Sequence, residues 1–222
     1  AALALDDTVA LRVRFDLPGN ALPPQSAMYF RGPVLSDFDG REWQAVPIRD
    51  TEQTPALLQV QGPGIAYEAL LEPHQKPWLL LLDASPEGPQ ANGLRAYMAR
   101  DLEWLAVRPV TEVLRYHATS YPQFRHGPLT ATRELRFGNS LPAGSNPRTK
   151  ALAAQMRAAP GVAGGGTQAL VDAALARLRT GGYEYTLDPG VYGEHTADEF
   201  WFDRKAGFCE HIASAFVVLM RA

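Results

Sequence analysis

The residue best suited to chemistry is the only cysteine of the chain, Cys209, which follows Lys205-Ala206-Gly207-Phe208. An apolar run begins at Cys209 and predicts a helix, so the thiol falls in the first helical turn. Unpaired backbone N–H groups and the positive end of the helix dipole favour negative charge there, and the thiolate is the nucleophilic form of cysteine. Gly207 gives the turn freedom and leaves space for a substrate backbone. By composition alone, a lone cysteine is more often a small buried apolar residue.

The predicted helix carries one apolar stripe that we expect to be buried. Its members are Cys209, Ala213, Phe216, Val217 and Met220. His211 is turned by about 200° from Cys209 around the helix, so we expect it to pack or cap rather than act as a base. Arg204 and Lys205 add positive charge that favours a thiolate or an acidic substrate, although an exposed pair is more often simply solvated. His195 is expected to be a solvated loop residue.

A thiol that transfers acyl groups needs a base within hydrogen-bond reach and a third group that orients the base. The chain ends at Met220-Arg221-Ala222 without the glycine, asparagine or proline that commonly ends a helix. We therefore expect the sequence to stop inside a domain, with the base beyond residue 222.

The segments around Cys209 resemble the nucleophile helix of bacterial transglutaminase-like proteins of the membrane-anchored TgpA type. The resemblance is carried by Gly207-Phe208-Cys209-Glu210-His211, Ala213-Ser214-Ala215-Phe216, Leu219-Met220-Arg221-Ala222, Tyr183-Glu184-Tyr185-Thr186 and Asp198-Glu199-Phe200-Trp201-Phe202. Near the N-terminus, Arg31-Gly32-Pro33-Val34-Leu35 and Asp37-Phe38-Asp39-Gly40-Arg41-Glu42-Trp43 resemble a signature of the extracytoplasmic region of that family.

This resemblance implies a soluble periplasmic segment of a protein anchored by transmembrane helices. It implies that the Cys209 thiolate attacks a glutamine carboxamide, releases ammonia and leaves a thioester, which an amine donor or water resolves. The base histidine and its orienting aspartate are expected beyond residue 222, so the isolated chain should be inactive, and no cofactor is expected. Tyr185 is expected to line the acyl site, although core packing would explain it equally well.

Two alternatives stay open: a cell-envelope cysteine peptidase or amidase, and a non-catalytic module that binds envelope proteins or peptidoglycan. A net charge of −3 gives no basic field for nucleic acid. The longest strongly apolar run, Trp78 to Leu82, is far too short to span a membrane. Oligomeric state cannot be read from the sequence.

Metal sites are not expected. His74, His117 and His126 lack a metal-ligand spacing. Asp37-Phe38-Asp39-Gly40 begins like a calcium loop, but Arg41 and Ile48 occupy the positions where such a loop needs oxygen ligands. A hairpin turn between Val34 and Trp43 is the better interpretation.

Residues 1–140 show short strand-like patterns and residues 141–222 show helical patterns, which predicts an α+β protein of two domains. The first part, an antiparallel β sandwich or barrel, has predicted strands at Val9–Phe15, Met28–Val34, Glu42–Val46, Ile65–Leu71, Trp78–Leu82, Leu114–Tyr121 and Glu134–Phe137. In the second, helices are predicted from Asn146-Pro147 to Met156, from a Thr167 cap to Gly181-Gly182, and from the capping box Thr196-Ala197-Asp198-Glu199. This succession suits the helical lobe of a transglutaminase-like (papain-like) core, the rest of which is expected beyond residue 222.

Overall fold

A computed structural model describes residues 8–45, 57–99 and 101–222. Contacts divide the chain into two compact units. We call the described residues of 8–35 and 45–130 the sheet unit, and residues 36–44 together with 131–222 the helical unit. The short segment 36–44 therefore packs with a part of the chain from which it is distant in sequence, while the domain boundary at residue 140 stays a prediction.

The strands and helices together give the α+β class that was predicted. The strands are β1 (Leu11–Phe15), β2 (Phe30–Arg31), β3 (Asp37–Phe38), β4 (Trp43–Gln44), β5 (Leu58–Gln61), β6 (Ile65–Leu71), β7 (Trp78–Leu79), β8 (Leu81–Leu82), β9 (Ala96–Met98), β10 (Trp104–Ala106), β11 (Leu114–Ser120), β12 (Gln123–His126), β13 (Glu184–Tyr185) and β14 (Ala206–Gly207). The helices are α1 (Arg133–Gly138), α2 (Pro147–Ala158), α3 (Gly166–Thr180), α4 (Thr196–Asp198), a π-helical turn (Glu199–Arg204) and α5 (Cys209–Arg221).

The sheet unit is built around the antiparallel sheet β1-β6-β11, in which Val13 lies opposite Ala69 and Ala69 opposite Tyr116. Alternate side chains of these strands point inward, because successive residues of a strand face opposite sides. Tyr67, Ala69, Leu71 and Tyr116 are accordingly buried in one core. The other strands of this unit form a second three-stranded sheet, β7-β10-β9, and the pairs β12-β5 and β2-β8. The strands of the described residues do not close into a barrel.

The long predicted strands at the N-terminus, Ile65–Leu71 and Leu114–Tyr121 are confirmed, while the predicted strand Glu134–Phe137 is wrong. That segment is helix α1, because the Thr132 hydroxyl accepts the Leu135 N–H at 3.2 Å and so caps a helix. Of the predicted strand Glu42–Val46, the structure gives Trp43–Gln44, and Val46 lies outside the described residues. The short strands β5, β9, β10 and β12 were not predicted.

The helix boundaries agree with the sequence better than the caps do. Pro147 opens α2, and Gly182, with a φ of 75°, follows α3 as predicted. Thr167 is not the cap of α3, since the helix already begins at Gly166 and no side chain caps it. Within the described residues, no helix combines the length and apolar character needed to cross a bilayer.

Two buried side chains join the starts of α2 and α4 by capping each other's helix. The Asn146 side-chain oxygen accepts the N–H groups of Ala197 and Asp198 at 3.0 and 3.3 Å. In return, the Asp198 carboxylate accepts N–H groups at the start of α2 and the Thr149 hydroxyl. The predicted capping box is therefore wrong, because Asn146 has taken the role of Thr196, whose buried hydroxyl has no partner among the described residues.

Candidate nucleophile site

Cys209 lies where the sequence predicted, as the first residue of α5, and its side chain is exposed. Phe208 precedes the helix in extended conformation, and its carbonyl accepts the Ile212 N–H at 3.1 Å. The N–H of Cys209 belongs to the first turn, where backbone donors have no helical partner. A thiol and free N–H donors thus share one exposed helix end.

The short strand β14, which pairs in parallel with β13, ends two residues before Cys209. Tyr185 lies opposite Gly207, and the Thr186 N–H donates to the Gly207 carbonyl at 2.9 Å. A Cβ on residue 207 would lie 2.7 Å from the Cβ of His211. Glycine is therefore required because a side chain would collide with α5. Backbone conformation is not the reason, since Gly207 does not have a positive φ.

His211 packs as the helix geometry predicts. Its ring contacts Tyr192, with centroids 4.7 Å apart, and meets Phe208 edge to face at 4.4 Å. Its buried Nδ1 has no hydrogen-bond partner in the part of the chain that the structure describes. Burial lowers the pKa of His211, Arg204 acts in the same direction, and Glu210 opposes them. The ring is a packing element beside the nucleophile turn.

The predicted apolar stripe of α5 is not the most buried face of the helix, although Phe216 and Met220 pack against the core of the helical unit. Ala213 is exposed and Phe216, Val217 and Met220 are only half-buried, whereas the buried residues are Ala215, Val218 and Leu219. The register is set by Trp201 of the π-helical turn, which is fully buried and donates its indole N–H to the Ala215 carbonyl at 3.0 Å. Cys209 consequently does not share the most buried face of its helix.

Arg204 and Lys205 are tied to the protein instead of standing free beside the thiol. Arg204 donates to the carbonyls of Pro189 and Val191 and pairs with Glu199 at 3.3 Å. Lys205 donates to the Gly181 carbonyl at 3.2 Å. Both cations therefore hold the loops on either side of β13, and neither is simply a solvated charge.

Tyr192, which the sequence did not single out, connects several of these groups. Its hydroxyl donates to the Ala206 carbonyl at 2.7 Å, and its ring lies between His211 and the Arg204 guanidinium, 4.9 Å away. Burial raises the pKa of this tyrosine. No local pattern distinguishes Tyr192 from the other tyrosines, since its role comes from residues brought together by folding.

The two remaining sequence candidates lie in different settings. Tyr185 is 61% exposed, so it is not a core residue, and its pairing with Gly207 places it near the nucleophile turn. His195 precedes α4, where its Nδ1 accepts the Asn146 N–H at 3.3 Å. The histidine is thus attached to the capping pair instead of being a loose loop residue.

The Asp39 turn is a hairpin, as predicted. One Asp39 oxygen accepts the N–H groups of Glu42 and Arg41 at 2.7 and 2.8 Å, and these bonds lower the pKa of Asp39. Ile48, the last position of the rejected calcium loop, lies outside the described residues. Among the residues described, no three or more His, Cys, Asp or Glu side chains form a group that could hold a metal ion.

Comparisons with known proteins identify the family and the fold. Residues 1–126 match the family model of the TgpA N-terminal domain. The whole chain is 34% identical to a protein-glutamine gamma-glutamyltransferase of Pseudomonas aeruginosa, of which it spans only 31%. The periplasmic domain of TgpA from the same organism matches with a TM-score of 0.84 at 33% identity, covering 97% of this chain and 71% of that one. Its ethylmercury-bound structure matches with a TM-score of 0.79 at 34% identity, covering 96% and 71%.

Proposed function

Because the chain belongs to the TgpA N-terminal domain family, we propose that it is part of an enzyme that transfers the acyl group of a glutamine side chain through a thioester on Cys209. The observation that carries this proposal is the exposed thiol at the first residue of α5. It is supported by the similarity of this chain, over its own length, to part of a protein-glutamine gamma-glutamyltransferase.

In the first step the Cys209 sulfur attacks the carboxamide carbon. The carbon–nitrogen bond breaks, the nitrogen takes up a proton and ammonia leaves, so that a thioester remains. The unpaired N–H of Cys209 is suited to stabilise the oxyanion that develops, because it is fixed before the reaction begins. An amine then attacks the thioester and gives a crosslink, or water attacks and gives glutamate.

The base belongs, in this proposal, to the rest of the protein, since the chain spans 31% of its curated relative. The two histidines nearest in sequence are engaged elsewhere: His195 accepts the Asn146 N–H and His211 packs between aromatic rings. A histidine and an orienting aspartate supplied beyond residue 222 would complete the site. A periplasmic location is proposed for this segment, because its structural relative is a periplasmic domain. Anchoring of the whole protein by transmembrane helices is proposed from the family resemblance alone.

Tyr185 is the proposed substrate contact. An exposed tyrosine offers a large apolar face at small entropic cost, and here it lies beside the strand that leads to Cys209. In the full-length protein, Tyr185→Ala should raise KM for a glutamine protein about tenfold, whereas Tyr185→Phe should retain most of the affinity. Equal KM values in all three proteins would remove Tyr185 from the site.

The main test is incorporation of a fluorescent amine into a glutamine-rich protein by the full-length enzyme. Cys209→Ala should reduce the rate at least about 10³-fold, because the nucleophile is lost. Thr167→Ala, at the exposed start of α3, is the control and should remain active. Full activity of Cys209→Ala would refute the proposal, and cleavage of the substrate chain would indicate a peptidase instead.

A second assay compares residues 1–222 with the full-length protein. Without the proposed base, the shorter chain loses proton-transfer catalysis worth roughly 10²- to 10⁴-fold and should show no turnover. Comparable rates would mean that a base lies within residues 1–222, with His195 the first to examine.

A further inference from the structure

The segment Ser36–Gln44, here called the docked hairpin, belongs to the helical unit although residues on both sides of it belong to the sheet unit. Strands β3 and β4 pair antiparallel, and the Ser36 N–H donates to the Gln44 carbonyl at 3.0 Å. The turn is closed by Asp39, as described above. This hairpin is therefore a part of the helical unit that the chain supplies between two stretches of sequence assigned to the sheet unit.

The docked hairpin holds α5 along two helical turns. The Trp43 indole N–H donates to the Ser214 hydroxyl oxygen at 2.8 Å. Two turns further along the helix, the Arg221 guanidinium lies 4.7 Å above the Trp43 ring and donates to the Ser36 carbonyl at 2.9 Å. Ser214 and Arg221 are seven residues apart and so lie on one side of the helix. Phe38, which is buried, stacks on Trp43 with ring centroids 4.5 Å apart.

The same hairpin also reaches the groups that support the residues before Cys209. Arg41 donates to the Tyr192 carbonyl at 3.5 Å, and Tyr192 in turn holds the Ala206 carbonyl through its hydroxyl. The Gly40 carbonyl accepts from the Asn146 side chain, also at 3.5 Å, so the hairpin touches the capping pair as well. These longer contacts are weaker than the bond from Trp43.

We propose that the docked hairpin positions the nucleophile, with Trp43 as its principal positioning residue. The buried face of α5, at Ala215, Val218 and Leu219, fixes the helix from one side. The docked hairpin contacts Ser214 and Arg221 on another side, and so restrains rotation of α5 about its axis and sliding along it. Since a displacement of about 1 Å can cost about 10²-fold in rate, this restraint matters at Cys209. The inference rests on the proposed acyl-transfer function.

The first experiment measures kcat and KM of the full-length protein for amine incorporation, at a temperature where every variant is folded. Trp43→Phe keeps the stacked ring but removes the N–H, and kcat should fall about tenfold with KM unchanged. Ser214→Ala should have the same effect, and the double variant should add little to it. Trp104→Phe is the matched control, because it removes an indole bond of 3.0 Å, to Ser85, within the sheet unit. It should leave kcat unchanged.

The second experiment does not depend on the activity. Hydrogen exchange of the backbone amides should become faster in α5 of Trp43→Phe and stay unchanged in α3, while Trp104→Phe should alter neither helix. Unchanged α5 exchange and kcat in Trp43→Phe, or an equal loss of kcat in Trp104→Phe, would overturn the positioning role. Inactivity of the unmodified protein would instead refute the proposed function, and exchange would still decide the role of the hairpin.

Discussion

Different kinds of interaction fix the arrangement of the elements inside each of the two units. In the sheet unit, β6 and β11 pair over seven residues, so the backbone itself fixes which side chains face the core. In the helical unit, which also has an apolar core, a few buried polar groups bond to helix ends: Asn146, Thr149 and Asp198. A helix satisfies its own interior backbone, so only its ends and side chains can fix it against a neighbour. The unit with the candidate nucleophile should therefore be the more sensitive to single polar changes.

The largest effect is expected when Asp198 is replaced by alanine. Two backbone N–H groups and the Thr149 hydroxyl would lose their acceptor in a buried place, which should cost about 3 kcal/mol or more. Hydrogen exchange should show the loss in the helical unit and not in the sheet unit. Asp203→Ala is the control, because Asp203 pairs with Arg148 at the surface and should cost less than about 0.5 kcal/mol. Equal losses would break the comparison.

A smaller effect is expected from a single methyl group at a tight contact. In Gly207→Ala, the new Cβ would meet the His211 Cβ at 2.7 Å, an atom that cannot rotate away, and the cost should be about 2 kcal/mol. In Gly64→Ala the closest atom, also at 2.7 Å, is the Thr119 Cγ2, which a rotamer change can move. Denaturant unfolding should therefore show less than about 1 kcal/mol for the sheet-unit variant. A reversed order would show that the sheet unit is the less tolerant one.

The sheet unit has a buried polar contact of its own, and we expect it to matter less. The Tyr67 hydroxyl accepts the Leu82 N–H at 2.9 Å and lies 3.1 Å from the Ser120 hydroxyl oxygen. Tyr67→Phe should cost about 1 kcal/mol, since the strands around it remain paired. Thermal unfolding followed by exchange in β6 and β11 would measure this. A loss as large as that of Asp198→Ala would contradict the comparison.

The smallest expected effect is a pH dependence that arises from His211. Its lowered pKa means that the folded protein favours the neutral ring, whereas the unfolded chain takes up a proton near the ordinary pKa of about 6.5. The stabilisation is therefore complete above about pH 6.5 and is lost as the pH falls toward the folded pKa. The Tm of the helical unit should fall less between pH 7 and 5.5 in His211→Gln than in the unmodified protein. Parallel curves for both would exclude this role.

Local signals in the sequence predicted some of the local features correctly. The alternation from Leu11 to Phe15 gave a strand, Pro147 marked a helix start, and the apolar run placed Cys209 at a helix start. The most buried face of α5 was mistaken because Val217 and Met220 are as apolar as Val218 and Leu219. Only the residues that folding packs against the helix, Trp201 among them, decide between these faces.

Contacts between distant segments could not be predicted from the sequence. The Asn146 side chain caps α4 instead of its own helix α2, because folding brings the start of α4 within its reach. Trp43 and Ser214 are separated by 171 residues, and no local pattern links them. The docking of the hairpin and the connecting role of Tyr192 therefore required the structure, because both depend on packing between elements that are remote along the chain.

The path of the docked hairpin also has a kinetic consequence. During synthesis, Phe38 and Trp43 emerge long before α5, so their aromatic rings stay exposed until that helix is made. Closing so long a loop is entropically costly and slow. The sheet β1-β6-β11, whose last strand ends at Ser120, can fold in that interval. Folding of the helical unit should consequently be the later event, and exposed aromatic rings should mark the intermediate that precedes it.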